Sequence, residues 1–149
     1  MRIALFQPDI AGNVGTILRL GACLATPVDI IEPCGFAFAD RAMKRAGMDY
    51  ATTAAVVRHA DWDAFLQARA GRIMLFTTRG AVPLPEMRFE PDDILLFGSE
   101  SAGVPDHVHE RADARVRIPL VPGLRSLNVA VAAGIALGHA LNQTGGWPA

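Results

Sequence analysis

Cysteine is scarce in this sequence. Cys23 and Cys34 are the only two in 149 residues. They form no C-x-x-C pair and have no metal-ligand spacing, so both read as reduced thiols of an intracellular protein. Long apolar runs are also missing. None reaches the roughly 18 residues that a membrane-spanning helix requires. The start, Met1-Arg2-Ile3-Ala4-Leu5-Phe6-Gln7, is too short and lacks the cleavage site of a signal peptide. It reads as a strand, and a cytoplasmic location is expected. Three nucleotide and nucleophile signatures are absent. There is no G-x-x-x-x-G-K-[ST], no G-x-G-x-x-G after the first strand and no G-x-S-x-G elbow. That excludes the Walker-type loop, the standard dinucleotide fingerprint and the serine-hydrolase turn. A basic excess is lacking too: Lys and Arg number 14 against 15 Asp and Glu. Nucleic-acid binders are usually basic overall, so any RNA contact has to come from a local patch.

What is present is a compact globular composition, with 51% hydrophobic and 19% charged residues. The length predicts one domain over residues 1–149 with a core of its own. Strand-like and helix-like segments alternate. Ile3–Gln7, Val28–Ile31, Ala54–Val57, Arg72–Thr77, Ile94–Phe97 and Val116–Ile118 read as strands. Val14–Leu24, Trp62–Ala70, Pro105–Arg111 and Asn128–Leu141 read as helices, with Asp61 placed to cap the second. The alternation predicts an α/β fold, with a mostly parallel sheet and helices on both faces. In such sheets, ligands sit beyond the carboxyl ends of the strands. The loops after the strands are therefore where function belongs.

Three of those loops carry candidate chemistry. Pro8–Arg19 contains two glycines and an asparagine. Asn13 reads either as a helix cap or as a site residue, and Arg19 as a solvated or a functional arginine. Leu95–Pro105 runs a buried strand into G-S-E-x-x-G. There Gly98 and Gly103 permit close backbone approach and Glu100 offers a carboxylate at the loop tip. Ile118–Asn128 holds two prolines and a glycine ahead of the last helix, with Ser126 and Asn128 as caps or site residues. The last helix carries Ala130, Gly134 and Gly138 at four-residue spacing. Helical glycines cost about 1 kcal/mol each against alanine, so this stripe implies a close helix neighbour. His107 and His109 stand two apart with no third ligand, so no metal site is expected. Arg41, Lys44 and Arg45 share a helix face, which is either solvated or a phosphate-binding strip.

Taken in order, five blocks resemble the SPOUT class of knotted RNA methyltransferases. Within it, they resemble the short tRNA 2′-O-methyltransferases that act on the wobble cytidine or uridine. The blocks are Pro8…Gly12-Asn13-x-Gly15-x-x-x-Arg19, Ile30-Ile31-Glu32-Pro33-x-Gly35-Phe36, Arg45-Ala46-Gly47-x-Asp49-Tyr50, Phe97-Gly98-x-Glu100 and Ile118-Pro119-x-Val121-Pro122-x-x-Arg125-Ser126-x-Asn128. They cover nearly the whole chain. The first departs from the family pattern at Ala11, where proline is more usual.

The resemblance implies a trefoil knot near the carboxyl terminus. It implies S-adenosylmethionine as cofactor, held by Phe76, Gly98, Ile118, Leu120 and Ser126. It places Arg19 at the reaction centre with Asn13, Glu100 and Asn128. It further implies a homodimer, with the tRNA anticodon stem-loop as partner and Arg41, Lys44, Arg45 and Tyr50 as candidate RNA contacts. The family assigns Arg19 the role of base. A guanidinium keeps its proton in a protein, so stabilising a forming alkoxide or gripping a phosphate suits it better. The rival readings are a knotted methyltransferase acting on rRNA or on another tRNA position, and a non-catalytic RNA-binding module.

Overall fold

The computed structural model describes residues 1–37, 55–79 and 82–149. Arg41, Lys44, Arg45 and Tyr50 lie outside the described residues, as does the expected start of a strand at Ala54. The elements run β1 (Arg2–Phe6), α1 (Ala11–Cys23), β2 (Val28–Ile31), β3 (Val56–His59), α2 (Trp62–Ala68), β4 (Ile73–Phe76), β5 (Val82–Pro83), a 3-10 turn at Leu84–Glu86, β6 (Ile94–Phe97), α3 (Asp106–Arg111), β7 (Ala114–Arg117) and α4 (Val129–Thr144). The strands form one seven-stranded sheet in the order β3-β2-β1-β6-β4-β7-β5. Every described pairing is parallel.

The α/β reading of the sequence holds, for a simple reason. Strands buried on both faces read as continuous apolar runs. Ile94-Leu95-Leu96-Phe97 and Val28-Asp29-Ile30-Ile31 are buried at every position. One face packs Ile3, Leu5, Ile30, Met74, Leu95 and Phe97 under α1 and α4. The other packs Ala4, Phe6, Ile31, Ile73, Leu75 and Leu96 under α2 and α3. Asp29 is the polar exception. It is 4% exposed, and a buried carboxylate needs partners. Arg2 donates to it at 2.7 and 3.0 Å, and His59 contacts it at 2.8 Å, tying β1, β2 and β3 together.

Several boundaries move: β7 runs Ala114–Arg117, ahead of the expected Val116–Ile118, and α4 runs on to Thr144. Helix α1 begins at Ala11, not Val14. Its N-cap is Ile10, which makes no side-chain cap bond. The Gly12–Gly15 stretch is therefore the first helical turn, not a loop. Helix α2 starts where expected, because Asp61 accepts the Ala64 N–H at 2.8 Å. Strand β5 went unread: two residues, one of them a proline at the sheet edge, leave no periodic signal.

Candidate active site

Residues Leu5, Phe76 and Phe97 stand in register across β1, β4 and β6, so these three strands end together. A cleft of about 610 Å³ opens beyond their carboxyl ends. That volume lies within the roughly 300–1,000 Å³ typical of small-ligand sites. Its floor is apolar. Phe76 stacks on Phe97 with centroids 4.9 Å apart and planes 15° apart, and Val116, Ile118 and Leu120 continue the wall.

The G-S-E-x-x-G loop forms one rim. Ser99 and Gly103 exchange backbone hydrogen bonds of 3.0 and 2.9 Å. A Cβ on Gly98 would lie 2.5 Å from the Gly103 carbonyl carbon, and Gly103 has φ +65°. Both glycines are therefore required for the loop to close on itself. That closure holds Glu100 at the cleft.

Three polar side chains meet there. The Asn13 Nδ2 donates to Glu100 Oε1 at 2.9 Å. The Asn128 Nδ2 donates to Asn13 Oδ1 at 2.9 Å. The Asn128 Oδ1 accepts the Ala130 and Val131 N–H groups at 2.9 and 3.3 Å, capping α4. These bonds leave each amide one orientation. The cap reading of Asn13 is thereby corrected: it sits inside α1 and spends its side chain across the cleft. The cap reading of Asn128 holds, and the same residue also serves the cluster. Ser126 caps nothing and lies exposed in the cleft lining.

Phe76, Gly98, Ile118, Leu120 and Ser126 all line this cleft, as do Asn13, Glu100 and Asn128. Arg19 does not. It is exposed on the third turn of α1. The sequence reading missed Arg79 and His109, which line the same cleft. His109 is buried whereas His107 is exposed. Burial pushes the His109 imidazole below its ordinary value, Arg79 and Arg115 push it further, and Asp106 opposes them. The one signal in the sequence was the short helix after Pro105, where Val108 and His109 turn inward together.

Among the described residues, no group of three or more His, Cys, Asp or Glu side chains is placed to hold a metal ion. Nor is any of their helices long and apolar enough to cross a membrane.

The sequence pattern of the SpoU rRNA Methylase family matches residues 1–138. A tRNA (cytidine(34)-2'-O)-methyltransferase of Beijerinckia indica subsp. indica is 55% identical over 146 residues, covering 96% of this chain and 91% of its own. A structure solved to give insights into the 2-OH methylation of C/U34 on tRNA is 40% identical, with TM-score 0.90, covering 95% of this chain and 94% of that one. An AdoMet-bound rRNA methyltransferase from Sinorhizobium meliloti is 27% identical, with TM-score 0.84, covering 95% of this chain and 55% of that one.

Proposed function

The chain belongs to the SpoU rRNA methylase family, and on that premise we propose that it methylates the ribose 2′-hydroxyl of the wobble cytidine or uridine of tRNA. S-adenosylmethionine is the donor in this reading. The observation that carries it is the cleft itself. Its apolar floor of Phe76, Phe97, Ile118 and Leu120 suits an adenine ring. Gly98 and the exposed Ser126 supply a rim that backbone and hydroxyl groups can use. The relatives named for cytidine(34) extend over nearly all of this chain, which favours tRNA over rRNA.

The donor, when bound, supplies a methyl group already activated on a sulfonium. The chain's remaining task is alignment and charge stabilisation. Phe76, Gly98, Ile118, Leu120 and Ser126 would hold the adenosyl part. Asn13 and Asn128 present an ordered amide pair to the substrate ribose. Glu100 fixes that pair, since both of its oxygens already accept hydrogen bonds. Arg19 keeps its proton, steadies the developing alkoxide and grips a neighbouring phosphate; the hydroxyl proton leaves to water or to a carboxylate. Arg19 is not a lining residue of the cleft, and in this reading the second protomer and the RNA complete its place. Arg41, Lys44, Arg45 and Tyr50 are the proposed RNA contacts.

The same reading includes one domain over residues 1–149, a trefoil knot through the carboxyl-terminal loops, a homodimer and a cytoplasmic location. It is tested by mapping ribose methylation in total RNA from cells with and without the gene. Loss of one 2′-O-methyl group at the tRNA wobble position is expected. Intact wobble methylation, with a mark lost from rRNA, would overturn the tRNA reading.

A further inference from the structure

The polar chain in the cleft does not end at Glu100. The backbone N–H of Asp9 donates to Glu100 Oε2 at 3.1 Å. In return, Asp9 Oδ1 accepts the backbone N–H of Glu100 at 3.1 Å. The other oxygen, Oδ2, accepts the Ser101 hydroxyl. Asp9 and Glu100 thus hold each other by side chain and main chain, across 91 residues of sequence. Asp9 does not line the cleft. Behind it, the loop after β2 closes without a gap. The Gly35 N–H donates to the Pro8 carbonyl at 2.9 Å, and a Cβ on Gly35 would lie 2.6 Å from the Asp9 Cβ. The loops after β1, β2 and β6 therefore converge on this one side chain.

We propose that Asp9 is the positioning residue of the site: it sets the Glu100 carboxylate, and through it the amides of Asn13 and Asn128, for methyl transfer. This rests on the methyltransferase reading above. A second bond at Oε2 stops the Glu100 carboxylate from rotating, so that Oε1 presents a fixed acceptor to Asn13. The Asp9 backbone N–H holds Oε2, through a loop that the Asp9 carboxylate pins. Removing that carboxylate frees the Glu100 loop from two bonds. The carboxylate then turns, and Asn13 loses the acceptor that fixes its amide. The Asp9 carboxyl is held down to about 2, first by its neighbour Glu100 and then by the Ser101 hydroxyl. The Asp9 side chain is therefore ionised at neutral pH.

A double-mutant cycle tests this, since residues acting through one another lose additivity. Single-turnover methylation of tRNA is measured at saturating S-adenosylmethionine for Asp9→Ala, Glu100→Gln and the pair. Asp9→Ala should slow the step about tenfold or more. The pair should be no slower than the worse single variant. Asp9→Asn keeps an acceptor for the Glu100 N–H and should recover most of the rate. Independent of any activity, the Asn13 and Asn128 side-chain amide signals are followed by ¹⁵N NMR. They should move in Asp9→Ala and return in Asp9→Asn. Multiplicative losses in the pair, or amide signals unmoved by Asp9→Ala, would overturn the proposal. If wild-type protein methylates no tRNA, the reaction reading falls by itself and the amide signals still decide the role of Asp9.

Discussion

Asn128 carries two duties that one substitution can separate. Its Oδ1 caps α4 and its Nδ2 orients Asn13. Asn128→Ala removes both and should cost about 1 kcal/mol of stability, as lost caps commonly do. Asn128→Asp keeps the cap but has no donor for Asn13. It should melt near the wild-type temperature and still be slow in methyl transfer. Calorimetry beside a rate assay reads the two apart; equal rates for Asn128→Asp and wild type would dismiss the orienting role. Arg19 is testable in the same way. Arg19→Ala should keep the fold and cofactor affinity and lose at least about a hundredfold in turnover, the usual scale for one preorganised donor. Arg19→Lys should recover little, because lysine lacks the planar fork. His109 gives a pH prediction. Its folded value lies below the ordinary 6.5. The unfolded chain therefore binds the proton first as pH falls. Stability is full above about 6.5 and declines below it, as an ordinary imidazole titrates there. Melting temperature against pH should fall less steeply over that window in His109→Gln.

Elements were legible in the sequence wherever burial wrote a local pattern. Strands β2 and β6 were read to the residue, because each is apolar or buried throughout. The start of α2 was legible because Asp61 caps it three residues away. The start of α1 was not, since Ile10 caps without a side chain and Asn13 answers to Glu100, 87 residues distant. No window along the chain contains that pairing, and none contains the Asp9 clamp. The same limit explains the glycines of the β6 loop. Their spacing suggested backbone approach to a ligand, whereas Gly98 first has to clear Gly103. Gly98→Ala should therefore be destabilised by about 1–3 kcal/mol, the usual cost of overpacking a closed site. Denaturant unfolding checks this. A neutral result would mean that the loop opens freely.

Across the molecule, α4 offers a face that the other described residues do not cover. Ala130, Ala133, Leu137 and Ala140 turn inward. Val131 and Ile135 stay 52% and 43% exposed, and a Cβ on Gly134 would meet nothing within 4 Å. Ala130 thus leaves the expected small-residue stripe, while Gly134 remains on the open side. An apolar face of this kind marks an interaction surface, and a second copy is the occupant proposed here. Gly134→Leu should leave helicity intact and weaken the dimer. Light scattering checks both proteins, and a monomeric wild type at micromolar concentration would refute the assembly.

Ribose methylation of the wobble nucleotide can be read from a single substrate atom. Purified protein is given isotopically labelled S-adenosylmethionine and either a wobble-containing tRNA or the same tRNA with a single 2′-deoxy wobble nucleotide. Label is expected on the wobble ribose of the first and none in the second. Equal labelling of both, or none in either, would contradict it.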